Sequence, residues 1–225
     1  MRAFVILIFL LTTISSSAQL TLGVKGGINY SKFNGDEFYR VENAIKTGAT
    51  FGLIIEPKLA KHFSLKFEIN YDQKGTNTAE SQWMAYVGYT NVSANFIYLS
   101  LPIMLKVNFG QKGIFYFNTG FSYSFLFKAN YQVKQGGKFI VNSDIKSSYN
   151  SSDISYVVGL GVKIPLTPKL GVIIDPRYAL GLSNIAKQDP YFKAQTLKNS
   201  TLSVAIGLVV QLGKNKETKD KNKDE

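Results

Sequence analysis

The chain has 225 residues, enough for one sizeable domain or at most two small ones, and a formal net charge of +11. It contains no cysteine, which excludes a lipoprotein anchor, a disulfide framework, thiolate metal sites and cysteine nucleophiles. The basic residues are scattered rather than clustered, so the charge points away from nucleic acid and towards anionic headgroups, polysaccharide or a merely solvated surface.

Residues 1–18 read as a cleaved signal peptide. Arg2 supplies a positive start, Phe4 to Ile14 an apolar core, and Ser16 and Ala18 the small residues a signal peptidase needs. Eleven positions are too few to span a membrane as a helix, and no later stretch reaches the required length. The mature chain is expected to begin at Gln19.

From there to residue 213 the dominant signal is period-2 alternation, repeated eight times. Strand one covers about Leu20 to Ser31, with Leu22, Val24, Ile28 and Tyr30 on one face and Lys25, Gly27 and Asn29 on the other. Strand two, about Thr47 to Pro57, sets Phe51, Leu53 and Ile55 against Thr50, Gly52 and Glu56. Strand three alternates Phe63, Leu65, Phe67, Ile69 and Tyr71 with Ser64, Lys66, Glu68, Asn70 and Asp72. Strand four, about Phe96 to Asn108, sets Ile97, Leu99, Leu101, Ile103, Leu105 and Val107 against Tyr98, Ser100, Pro102, Met104 and Lys106. Strand five, from Phe115, opposes Phe121, Tyr123, Phe125 and Phe127 to Tyr116, Asn118, Gly120 and Lys128. Strands six, seven and eight centre on Ile154 to Ile164, Leu170 to Leu182 and Leu202 to Leu212. Their polar faces carry Asp153, Gly159, Gly161 and Lys163, then Gly171, Asp175 and Arg177, then Ser203, Gly207 and Gln211.

The connections alternate in length. Segments 32–46, 75–95, 129–152 and 183–199 are long, whereas 57–62, 108–113 and 165–169 are short. Long and short therefore fall at opposite ends of the strands, as in outer-membrane barrels. Residues 214–225 are a charged run with no apolar residue and read as a disordered tail.

Alternation alone does not say which face points inward. The apolar faces carry no charge, which suits lipid, where a midplane Lys or Arg costs roughly 2–4 kcal/mol. The polar faces are rich in glycine, which suits the narrow interior of an eight-stranded barrel. Aromatics gather towards the ends of the apolar faces at Tyr30, Phe63, Tyr71, Phe115, Phe125 and Phe127, as in interfacial girdles. The fold expected is an all-β, eight-stranded antiparallel up-and-down transmembrane barrel in the bacterial outer membrane, in contact with lipid and lipopolysaccharide. Its lumen is expected to hold Lys25, Glu56, Lys66, Glu68, Asp72, Lys106, Lys128, Lys163, Asp175 and Arg177, whose opposite signs can pair.

Three stretches resemble the PorT-type outer-membrane β-barrel family of Bacteroidetes. They are Leu22 to Ser31, the segment Tyr98-Leu-Ser-Leu-Pro-Ile-Met-Leu-Lys106, and Arg177-Tyr-Ala-Leu-Gly-Leu-Ser-Asn-Ile185. The resemblance covers essentially residues 19–213. It implies a barrel and, for one branch of the family, a link to protein secretion. The strand ends at Leu212 and not on the terminal aromatic that many such barrels carry.

No catalytic set or cofactor site is legible. His62 is the single histidine and lies in a short turn, where it can build neither a triad nor a metal cluster. Gly159-Leu-Gly161 sits within a strand and opens no helix, so it is no phosphate loop. Function is expected on the long loops, where Trp83, Tyr86, Tyr89, Tyr191 and Phe192 could meet carbohydrate or an envelope protein. The leading reading is a non-enzymatic scaffold. A narrow ion or solute channel and a secreted soluble lipocalin-like barrel remain alternatives.

Overall fold

A computed structural model describes residues 19–35, 43–78, 89–110, 114–135, 138–187 and 196–213. Its strands are β1 (Leu20–Gly35), β2 (Asn43–Ala44), β3 (Lys46–Pro57), β4 (Phe63–Thr78), β5 (Tyr89–Phe109), β6 (Phe115–Gln135), β7 (Lys138–Asp144), β8 (Ser152–Pro165), β9 (Leu170–Gly181) and β10 (Leu197–Leu212). Eight of these form a closed antiparallel ring in the order β1-β3-β4-β5-β6-β8-β9-β10. The ring closes where β1 pairs β10 without interruption from Leu20↔Leu212 to Gly35↔Leu197. Closure gives every central backbone group a ladder partner, the condition for a sheet to exist in lipid.

The two faces separate by polarity in the sense opposite to a water-soluble protein. Alternate residues such as Phe51, Ile206 and Leu160 point outward and are more than half exposed, while Lys66, Asn118 and Asp175 point inward and are 0–1% exposed. A soluble lipocalin-like barrel would carry its apolar face inside, so this distribution overturns that alternative. The girdle aromatics Tyr30, Phe63, Tyr71, Phe115, Phe125 and Phe127 all lie on the outer face.

Glycine opposite a bulky partner is what lets the interior close. Tyr116 lies opposite Gly161, where an added Cβ would meet the phenol ring at 2.2 Å. Arg177 lies opposite Gly159, whose added Cβ would meet the Arg177 Cγ at 2.7 Å. Large inward side chains thus occupy the space their cross-strand glycines vacate.

The strands overrun the limits expected from alternation. The expected loop 75–95 contains the end of β4 and the start of β5, and the expected loop 129–152 contains the end of β6 and all of β7. A strand needs about 9–11 tilted residues to cross the hydrocarbon, so the 21 residues each of β5 and β6 continue well beyond it. There β2 adds to β4 and β7 adds to β6, making a wall that stands above one side of the ring. Alternation faded at these ends because the outer face turns polar once it leaves lipid.

One inward assignment is also corrected. The β5–β6 register slips between Ile97↔Lys128 and Tyr98↔Leu126. This bulge places Phe127 and Lys128 both on the outside, so Lys128 does not reach the lumen. Lys163, near the short-turn end of β8, is half-buried.

Candidate functional site: the lumen and its cap

The lumen is filled in three levels. Nearest the short turns, the Lys106 Nζ donates to both oxygens of Glu56 at 2.9 Å. That ammonium lies 4.3 Å from the centroid of the Tyr116 ring, a cation–π distance.

The middle level joins four strands. The Arg177 guanidinium forks onto Glu68, with Nη1 to Oε2 at 2.7 Å and Nη2 to Oε1 at 2.6 Å. Its Nε also donates to Asp175 Oδ1 at 2.9 Å, and Nη2 contacts Asp175 Oδ2 as well. Lys66 Nζ reaches Asp175 Oδ2 at 2.8 Å and Glu68 Oε1 at 3.3 Å. Lys25 Nζ reaches Glu68 Oε2 at 2.7 Å. Two carboxylates therefore hold three cations from β1, β4 and β9. Asn118 from β6 adds a 3.3 Å bond to Asp175. Such burial is tolerable because every charge here has a partner of opposite sign; a lone one would be costly to desolvate. Asp72 stands apart from this cluster and accepts from Thr50 Oγ1 at 2.7 Å and Asn29 Nδ2 at 3.2 Å.

Sequence reasoning named Lys66, Glu68, Asp72, Lys106, Asp175 and Arg177 as a network. The structure joins Lys66, Glu68, Asp175 and Arg177 directly, adds Lys25, and places Lys106 in the separate pair with Glu56. Two inward charges fell outside the expected set. Lys74 lies 5.2 Å over the Tyr98 ring, and Asp153 accepts from Ser183 at 2.8 Å and Asn199 at 2.8 Å. With them the buried charges of the described residues balance: Lys25, Lys66, Lys74, Lys106 and Arg177 against Glu56, Glu68, Asp72, Asp153 and Asp175.

The third level, towards the long loops, is apolar. Phe33, Phe96, Tyr98, Leu126, Ala129, Ile185, Ala186 and Leu197 form one buried cluster, with Ile145 and Tyr149 packed against it. Phe96 is its hub. Its ring meets Tyr149 edge-on at 4.6 Å and lies 5.2 Å from Phe33. Asn184 pins the cap: its Oδ1 accepts from Leu197 N–H at 2.8 Å and Ala186 N–H at 3.1 Å, locking together the two ends of the last long loop. Asn150 donates to the Asn184 and Ala186 carbonyls, tying in the preceding loop. The Asn184-Ile185 dipeptide, singled out in sequence as a motif, is thus a latch and a stopper.

Between network and cap a void of about 40 Å³ remains, bordered by Asp72, Lys74, Ser155, Arg177 and Thr201. Ser155 Oγ and Thr201 Oγ1 have no protein partner there, and the space suits a few water molecules. The loop aromatics Trp83, Tyr86, Tyr191 and Phe192 lie outside the described residues, as do the segment 1–18 and the tail 214–225. Tyr89 opens β5, but its side chain lies outside the description. Among the described residues no group of acidic and histidine side chains could hold a metal. His62 stays in its turn, with its Nδ1 3.2 Å from the Asn108 carbonyl.

Comparison with known proteins agrees with this geometry. A family model described as "Outer membrane protein beta-barrel domain" matches residues 15–187. The outer membrane protein OprG of Pseudomonas aeruginosa superposes with a TM-score of 0.52 at 10% identity, covering 88% of this chain and 97% of that one. A major outer membrane protein of Thermus thermophilus gives 0.50 at 13% identity, covering 86% and 99%. Neisserial surface protein A gives 0.44 at 15% identity, covering 85% and 97%. At these identities the likeness is one of fold. The search of curated proteins returned no match.

Proposed function

Because the chain belongs to the outer membrane protein β-barrel domain family and resides in the bacterial outer membrane, we propose that it is a closed, non-enzymatic scaffold acting through its long-loop end. The observation that carries this reading is the double seal of the lumen. A general pore keeps its interior charges apart and hydrated. Here Lys25, Lys66, Glu68, Asp175 and Arg177 are paired at 2.6–3.3 Å and lie below an apolar cluster of side chains packed across the bore.

The test is a planar bilayer containing the purified protein. We expect no unitary conductance. Stable channel openings would replace the scaffold with the narrow-channel reading, and charge-removing changes at Lys66 and Arg177 should then alter ion selectivity.

The reading extends to the protein's surroundings. Residues 1–18 act as a signal peptide, so N-terminal sequencing of the mature protein should begin at Gln19. The scaffold is of the PorT type found in Bacteroidetes, and its partner is an envelope protein, of the secretion machinery in the branch linked to export. Trp83, Tyr86, Tyr89, Tyr191 and Phe192 contact that partner. Capture from native outer membranes should recover one protein that is lost when one long loop is deleted. Lipid and lipopolysaccharide form the lateral surroundings.

A further inference from the structure

The outer face of the wall changes character abruptly at one height. Three strands carry the change side by side. Going towards the long loops, the outward column of β4 runs Phe67, Ile69, Tyr71 and then Gln73 and Asn77. That of β5 runs Ile103, Leu101, Leu99, Ile97 and then Asn95 and Ser93. That of β6 runs Phe121, Tyr123, Phe125, Phe127 and then Asn130 and Gln132.

Strand pairing aligns these columns into rows. Gln73, Ile97 and Lys128 form the boundary row. Above it lie Gly75, Asn95, Asn130 and Asp144, then Asn77, Ser93, Gln132 and Asn142. The amides are knitted together: Asn95 donates to Gln132 at 2.6 Å, and Asn130 donates to Asn142 at 3.0 Å. The result is a polar, amide-rich surface, to which Asp144 adds one carboxylate and in which Ser93 is buried.

The height of the boundary follows from the chain. Phe115 to Phe127 spans twelve residue steps of β6, about 40 Å along the strand and about 28 Å along the normal at a 45° tilt. That equals the hydrocarbon thickness, so the Lys128 row sits where the headgroups begin. The long-loop end is the outer one in barrels of this layout. The bulge supplies the decisive detail, because it turns Lys128 outward beside Phe127, which is 71% exposed. An aromatic thus anchors in the hydrocarbon edge while an ammonium stands at phosphate level.

We infer that the outer face of β4–β7 is a docking surface for the phosphorylated sugar headgroup of an outer-leaflet glycolipid, with Lys128 taking a phosphate and the amide rows taking sugar hydroxyls. Amides present a donor and an acceptor side by side, which matches vicinal hydroxyls. The surface is continuous with the lipid belt, so an occupant with acyl chains in the belt holds its sugars against the amides. The opposite wall also sets an outward lysine, Lys32, above an aromatic, Tyr30, with Asn34 beyond it, paired with Ser200 and Lys198 at the end of β10, but it lacks the two amide rows. This inference rests on the lipopolysaccharide contact proposed above and names the surface that makes it.

The experiment uses the full mature chain in detergent micelles, with lipopolysaccharide carrying its inner-core sugars, lipid A without them, and phosphatidylglycerol as probes. Apparent Kd is measured for the unaltered protein, Lys128→Ala, Lys128→Arg, Asn130→Ala with Gln132→Ala, and Lys32→Ala, each first shown to run as a folded barrel. The unaltered protein should prefer lipopolysaccharide. Lys128→Ala should weaken lipopolysaccharide and lipid A roughly ten-fold, the size of one charge-assisted hydrogen bond, and Lys128→Arg should retain binding. The amide pair should lower lipopolysaccharide affinity to the lipid A level, and Lys32→Ala should change nothing. Equal losses for Lys32→Ala and Lys128→Ala, or equal affinity for phosphatidylglycerol, would overturn the assignment in favour of general electrostatic attraction. Absence of lipopolysaccharide binding by the unaltered protein removes the underlying contact as well. Binding that every variant retains removes only this surface.

Discussion

The lumen of the described residues is filled at two heights, by opposite chemistries. In the middle of the barrel, Glu68 and Asp175 hold Lys25, Lys66 and Arg177 through directional bonds that tolerate little displacement. Near the loops, Phe33, Phe96, Ile185 and Leu197 fill the same bore by packing, and two asparagines fix the chain that delivers Ile185 and Leu197. The lower seal is built from strand residues held by the ring itself. The upper seal is borrowed partly from loops. The network residues all belong to ring strands, whereas Ile185 and Ala186 of the cap belong to a loop, so the cap is expected to loosen while the ring stays intact.

The most disruptive test strikes the lower seal. Glu68→Ala strips Lys25 of its carboxylate and leaves Asp175 alone to hold Lys66 and Arg177, and removing one partner of a buried ion pair costs about 3–5 kcal/mol. Urea titration followed by the heat-modifiable band of the folded barrel should show a midpoint lowered accordingly. A midpoint within error of the unaltered protein would mean that the cations find water instead. Ile185→Ala strikes the upper seal and should cost about 2–4 kcal/mol as a large-to-small change in a packed cluster. Its loss should appear mainly as faster hydrogen exchange at Leu197 and Ala186, with the ring protected. Exchange that rises equally throughout the ring would merge the two seals into one cooperative unit.

Gly161→Ala tests the packing below the network. Its new Cβ meets Tyr116, and overpacking of this kind costs about 1–3 kcal/mol. Tyr116→Leu in the same chain should recover most of that loss, and failure to do so would place the strain in the backbone. Asn184→Ala removes the acceptor of two backbone N–H groups, a loss of about 1–3 kcal/mol. Expected readouts are an intact ring by tryptic protection and a cap cleaved near residue 185. Lys128→Ala is the smallest: pointing outward, it should leave stability within about 0.5 kcal/mol. A larger shift would return that side chain to the interior.

The faces of the barrel were legible because period 2 and the absence of charge from one face are local signals. The partners within the lumen were not. Alternation shows that Glu68 and Arg177 point inward, but whether they share a height depends on the stagger of strands far apart in sequence. Lys74 and Phe33 were missed for a related reason. Both continue the inward parity of Asp72 and of Ser31, yet the outer face turns polar at that height, at Gln73 and at Lys32, so alternation stops being recognisable. Lys128 was misplaced because Phe121, Tyr123, Phe125 and Phe127 alternate without a break, and a bulge leaves no mark on such spacing. The Asn184-Ile185 pair was noticed as a pattern, but only the folded loop shows that Asn184 binds two backbone amides.

The uninterrupted pairing of β1 with β10 bears on how the protein is made. Gln19 and Gln211, bonded at 2.9 Å, are 192 positions apart, so this seam joins the two extremes of the barrel sequence. Direct closure of that span carries an entropic cost, which the hairpins formed between neighbouring strands reduce by bringing the two ends together. Until β10 arrives, β1 and β9 each present a row of unpaired amides and carbonyls, which hydrocarbon does not accept. The ring therefore becomes compatible with hydrocarbon only when its final strand docks and both edges are covered together.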